Sequence, residues 1–419
     1  MPTVQVTKGD GRRPICERCG RASRPCSWLE GGQGPSQSPS ASPLPASVSS
    51  SEDLQYVSAT NPAEALQHPQ VAEIFRHYID HLAGWYDLND RNRHFGDVVP
   101  ICARHNSLLL SAILAFSAAA LSSSSPGLDL WAWAESYHLE SVQQLLSLTK
   151  DVDQFRTGET LAAICLLRSY EIISQNVSCQ NHLQGSYSLL SSGSADLASE
   201  LFNAGFWNYL REDITVALIE KRGLMIELSD AYLPQTVHAE DDFANRVTYL
   251  LGRVMNHCLG ANASPLARPQ WETLRSELEA WKSSLPPSFE PISTPGLHGK
   301  SVFPSLWTTS PWHASSLQYY HTGMAILHLA EPASPTANAL QQMERVSTLN
   351  KTLEHHAVIV CALALSSHSA PVWVNSFGQI SFCGPWIKDQ QMLKEVLAAM
   401  QKWGRNTGWP VGNILASLS

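Results

Sequence analysis

The sequence predicts an all-α fold: a multi-helix domain preceded by a basic, cysteine-bearing tail and a Ser/Pro/Gly linker. Three observations predict it. Apolar residues recur at steps of three and four over most of the chain, as on one face of a helix, and strand-like alternation is nearly absent. The chain has 419 residues, 44% apolar and 16% charged, enough to bury a sizeable core. Proline-rich breaks such as "SLPPSFEPISTPG" separate the periodic stretches.

The tail, residues 1–30, carries Cys16, Cys19 and Cys26 in the spacing C-x2-C-x6-C. A closed tetrahedral zinc site takes four ligands, and no histidine lies nearer in sequence than His68. Lys8, Arg12, Arg13, Arg18, Arg21 and Arg24 stand against three acidic residues, a net of +3, which leaves −12 for the rest of a chain whose total is −9. An acidic body repels a nucleic-acid backbone, so any contact with phosphate falls to the tail.

Residues 31–60 read as a flexible linker. The stretch "GGQGPSQSPSASPLPASVSSS" holds eight serines, four prolines and three glycines with no charge, and it lacks the apolar area that would offset the entropy of ordering. The helical domain is assigned to 61–419. Val71, Ile74, Phe75, Tyr78, Ile79, Leu82 and Trp85 define the apolar face of its first helix, 69–86. Further helices are expected near 107–122, 128–149, 156–176, 197–221, 241–260, 268–283, 314–331, 337–366 and 386–403. "SLLLSAILAFSAAALS" (107–122) falls short of the ~20 apolar residues of a membrane span and reads as a buried helix. The N-terminus has no apolar signal region, and nine cysteines lying mostly singly suit reduced thiols better than a disulfide framework.

Motifs for chemistry are sparse. "GKS" at Gly299–Ser301 ends like a phosphate loop, but Thr294 stands where its first glycine belongs and no strand is expected before it. His355 and His356, neighbours in a helix, lack the i, i+4 spacing of a helical metal pair and read as solvated or capping histidines. Arg168 and Glu171 sit three apart in the most apolar helix and are expected to satisfy each other or a neighbouring helix. No nucleophile elbow, zinc-protease or dinucleotide signature occurs, so no reaction is indicated.

The tail resembles the second half of the fungal binuclear zinc cluster, in which six cysteines hold two zinc ions. Lys8, Asp10 and Pro14 fall where that family keeps K-C-D and a loop proline, while Gly9 stands at its third cysteine and Pro2 at its second. "ETLAAICLLRSYEII", "FWNYLREDITVALIEKR", "WETLRSELEAWKSSLPPSFEPI", "LQYYHTGMAILHL" and "GWPVGNIL" are similar, in this order, to blocks of the fungal-specific transcription factor domain. Lys221-Arg222-Gly223 departs from it, replacing a proline-containing turn.

The resemblance implies an all-helical, nuclear transcription regulator of the RNA polymerase II type rather than an enzyme. It implies zinc on Cys16, Cys19 and Cys26, and weak backbone contact to DNA from Lys8, Arg12, Arg13 and Arg18. It also implies a homodimer or a heterodimer with a related regulator, a small-molecule effector, and no membrane. The base-reading helix lies between cysteines this chain lacks, so either upstream sequence supplies them or the protein acts through an intact partner as a ligand-sensing or dimerising module. In sterol-responsive relatives the domain holds a lipid. Thirteen tryptophans with many Leu and Ile could line such a pocket here or form ordinary core, and ligand-binding residues stay unassigned.

Overall fold

Apolar helices of this length can bury their faces only against one another, and they do so in layers. The structure is a computed structural model that describes residues 56–125, 127–148, 157–174, 199–226, 228, 230, 233, 239–260, 266–294, 301–333, 336 and 338–419. The sequence expectations for the tail and for residues 31–55, and with them Lys8, Arg12, Arg13, Cys16, Arg18, Cys19 and Cys26, lie outside the described residues. So do Gly299 and Lys300. Ser301 is described, and its hydroxyl accepts from Phe303 N within a local turn.

The chain enters through the short helix α1 (Pro62–Ala65), then α2 (Pro69–His77), a π-helical turn at Tyr78–Leu82, and α3 (Ala83–Tyr86). The expected single helix over 69–86 is therefore broken in register. Val71, Ile74, Tyr78, Leu82 and Trp85 are buried as expected, whereas Ile79, inside the π turn, is exposed. After α4 (Val99–Ala103), α5 (Ser107–Ser124) begins at the cap Asn106, whose side chain accepts from Leu109 N. Among the described residues α5 is the helix long and apolar enough to cross a membrane, and most of it is buried inside the unit.

Helix α5 packs on α6 (Trp131–Leu148) and α7 (Gly158–Ser174), and α7 packs on α8 (Glu200–Glu220). Ser199 caps α8, and Lys221 ends it in the left-handed region at φ 55°. There Lys221-Arg222-Gly223 makes its turn without proline. Arg222 N donates to Ala217 O, and the Arg222 side chain reaches back to Asp213 at 3.2 Å. Asp213, fully buried, also accepts from Met225 N and Ile226 N, which pins the return of the chain against α8.

The second half comprises α9 (Glu240–Leu259), α10 (Arg268–Ser283), the antiparallel pair β1 (Ile292–Thr294) and β2 (Ser305–Trp307), and α11 (Pro311–Leu329). It ends with α12 (Ala339–Ser366), α13 (Ala370–Cys383), α14 (Gln390–Thr407) and α15 (Gly412–Leu418). The observed α14 lies four residues later than expected because Asp389, accepting from Gln391 N and Met392 N, sets its start.

The sequence reading missed α13, which packs on α8, α11 and α12. At Gly378 the backbones close up: an added Cβ would stand 2.7 Å from Thr215 O of α8. Only glycine permits that approach.

Candidate functional site

The segment between α3 and α4 is a loop that holds itself. Asp87 accepts from Phe95 N at 2.9 Å and Gly96 N at 2.8 Å. Asp90 accepts from Asn92 N and His94 N, and its carboxylate faces His94 Nδ1 at 2.8 Å. Arg93 takes the left-handed conformation that closes the turn. On the far side His94 Nε2 meets Glu200 at 3.3 Å. Burial by itself would lower the pKa of His94, but Asp90 and Glu200 outweigh it and raise it, which favours an imidazolium between two carboxylates. Burial pushes the Asp87 carboxyl up to about 7, against the pull of the two N–H groups it accepts from.

Three segments remote in sequence enclose a polar cavity of about 370 Å³ beside this loop. The loop gives one wall. The second is a face of α8 on which Asn203, Trp207, Asn208 and Arg211 follow at helical spacing. The third is the first turn of α9, with Asp241 and Asn245 one turn apart. Arg211 is 2% exposed. Its Nη2 donates to Tyr86 O at 2.7 Å and to Asn208 Oδ1, and among the described residues no carboxylate forms an ion pair with it. Two shallower grooves, of about 500 and 520 Å³, contain no buried charged side chain.

Behind Arg211 a relay of hydroxyls leads inward. Tyr86 donates to Ser169 Oγ on α7 at 2.6 Å, and Ser169 donates to Glu212 Oε1 at 2.6 Å. Burial pushes Glu212 up to about 7, against Ser169, Arg168 and Arg211, which favour its charge. The folded chain therefore keeps a proton that the unfolded chain releases near 4.5, so this group's contribution to stability falls as pH rises from about 4.5 through 7. Glu212→Gln is expected to gain up to about 3 kcal/mol over the parent protein at pH 8 relative to pH 5. Urea unfolding at the two pH values measures this, and an unchanged difference would refute it.

Arg168 and Glu171 are paired as expected, Nη1 to Oε2 at 3.6 Å, each side chain 1% exposed. The histidine reading needs correction. His355 is exposed, but His356 is buried, with its Nδ1 2.9 Å from His321 Nδ1 and its ring stacked on His328, both from α11. Burial, then His328 and His355, lower His356 to about 4, so the cluster is neutral. The partners of His356 lie on another helix, where sequence spacing gives no sign of them. No group of three or more His, Cys, Asp or Glu suited to a metal occurs among the described residues.

The tryptophans, for which the sequence left pocket and core both open, lie mostly in the core. Trp207 belongs to the core and also lines the cavity, whereas Trp85, Trp133, Trp271, Trp281, Trp403 and Trp409 are core alone, and apart from Tyr86, Ala204 and Leu233 the rest of the cavity wall is polar or charged. The sequence held one signal that could have found it: Asn208, Arg211, Glu212 and Asp213 interrupt an otherwise apolar helix, and polar groups in such a place need partners.

Residues 73–202 match the fungal specific transcription factor domain. The matched stretch runs from within α2 to the start of α8 and takes in the loop wall of the cavity, while Arg211, Asp241 and Asn245 lie beyond it. Among curated proteins, the transcription activator AMTR1 of Alternaria alternata is 21% identical over 326 residues. The match takes in 60% of this chain and 42% of that protein's length. No solved structure matches. Both similarities are to transcription regulators rather than to enzymes, and they support a role in transcription regulation.

Proposed function

We propose that the protein is a nuclear transcription regulator whose helical unit is the regulatory part. The observation that carries this is the match of residues 73–202, whose described part is a set of helices packed on one another, to the fungal specific transcription factor domain. In this reading DNA is met by the tail, with Lys8, Arg12, Arg13 and Arg18 at phosphates and Cys16, Cys19 and Cys26 as thiolates for zinc. Three thiolates fall short of a closed tetrahedral set, so sequence-specific reading of DNA needs further ligands. The test is to fuse the full chain to an unrelated DNA-binding module placed upstream of a reporter. Transcription should change severalfold; an unchanged reporter with the fusion present in the nucleus would overturn the reading.

A second reading, a dimerising module, is favoured by α12. Its first turns are held by a capping box, Asn338 accepting from Gln341 N and Gln341 accepting from Asn338 N, both at 2.9 Å. There Leu340, Met343 and Val346, spaced by three, are all exposed. An apolar stripe on the first turns of a helix whose second half alone is buried suits the same stripe of a second copy. Met343→Glu is expected to weaken self-association by about tenfold or more in sedimentation experiments, by placing a charge in the seam. A parent protein that is monomeric at all concentrations would exclude this reading.

A further inference from the structure

We propose that the cavity between α8, α9 and the 86–94 loop binds a small zwitterion of the α-amino-acid class, with Arg211 holding the carboxylate and Asp241, Asn89 and Asn245 receiving the ammonium. The proposal goes beyond transcription regulation and does not rest on it.

The anionic end is assigned by Arg211. A guanidinium offers five N–H donors in a planar fork, and no described residue accepts from its Nε or Nη1. A buried charge is normally paired. Of the nearby acids, Asp90 is engaged by His94, and Asp87 and Glu212 are each pushed up to about 7, so neither supplies a full counter-charge at neutral pH. A ligand carboxylate matches the fork in two parallel hydrogen bonds.

The cationic end is assigned by acceptors left without donors. Asn89 Nδ2 donates to Thr248 Oγ1 at 3.3 Å, and the Thr248 proton is committed to Ala244 O, which fixes the amide's orientation. Asn245 Nδ2 donates to Asn89 O at 3.3 Å. Both amide oxygens are then unpartnered among the described residues, on side chains that line the cavity and belong to residues 2% and 9% exposed. Asp241 Oδ1 likewise has no hydrogen-bond partner among the described residues, and the carboxylate's charge is favoured by the backbone N–H groups of Asp241 and Arg91 and by the Arg91 side chain 3.8 Å from Oδ2. Three acceptors with no donor suit the three N–H groups of an ammonium. A simple anion would leave them unmet and face Asp241, and a simple amine would leave Arg211 unpaired. The volume, about 370 Å³, is at the small end of metabolite cavities, and Trp207 offers an apolar surface to a ligand side chain.

The experiment is isothermal titration of the full chain with the common L-α-amino acids, using propionate and propylamine as half-ligands. At least one amino acid is expected to bind with Kd below about 1 mM, and both half-ligands about tenfold or more weakly. Arg211→Met should abolish binding. Because that variant could fail to fold, Asp241→Asn, at a partly exposed position, serves as the second: folded by circular dichroism, it should lose about tenfold toward the amino acid and nothing toward propionate. The proposal is overturned if no amino acid binds the folded chain below about 10 mM, if either half-ligand binds as tightly as the amino acid, or if Asp241→Asn binds unchanged. Binding without any reporter response would count against the transcription reading and leave this one standing.

Discussion

Zinc titrated into the 419-residue chain is expected to bind weakly, and a competition gel shift at physiological salt to show less than about a tenfold preference for any DNA sequence over scrambled competitor, against the ~10³ or more of specific binders. A structural zinc site contributes ~10 to 16 kcal/mol to folding when its ligand set is complete, and Cys16, Cys19 and Cys26 with a water do not complete one. Phosphate contact from Lys8, Arg12, Arg13 and Arg18 does not depend on sequence and should fall steeply with salt, log K dropping by roughly 0.9 per phosphate for each tenfold in salt. Adding an upstream C-x2-C-x6-C that ends in cysteine at Gly9 should bring two zinc ions per chain and sequence preference together. Two zinc ions and a strong preference in the chain as it stands would refute the half-cluster argument.

Arg168→Ala is expected to destabilise the helical unit by about 3 kcal/mol, since Glu171 would be left buried beside an empty place where its partner stood. Glu171→Ala should cost a comparable amount for the converse reason. The double change should cost less than the sum, because the second substitution removes the group that the first had stranded. Guanidinium unfolding of the four proteins measures the cycle, and strict additivity would show that the two side chains do not support each other.

The helices were legible wherever one face is apolar and the other polar, as in α2 and α10, because that contrast survives in the sequence without knowledge of neighbours. Helix α13 lacked it. "APVWVNSFGQISFC" is apolar nearly all round, carries β-branched residues and a glycine of low helix propensity, and forms a helix because α8, α11 and α12 enclose it. The π turn at Tyr78–Leu82 was also hidden, since the heptad-like spacing of Tyr78, Leu82 and Trp85 reads the same through it. Arg168 and Glu171 could be paired from spacing alone because both ride one helix. The cavity could not, because its walls come from residues near 90, 208 and 243, which only the packing of α8 against α9 and the loop brings together.

Arg211, Glu212 and Asp213 are consecutive on α8, so their side chains leave the axis about 100° apart. Each is fastened to a different neighbour: Arg211 to the carbonyl of Tyr86, Glu212 to Ser169 of α7, Asp213 to the backbone at Met225 and Ile226. A shaft gripped on three sides cannot spin about its own length, and with Gly378 of α13 seated against its backbone at Thr215 it cannot slide freely either. Arg211 at the cavity and Thr215, where Gly378 is seated, stand one turn apart on that shaft, so the wall of the cavity and the seam between α8 and α13 are two sides of one held helix.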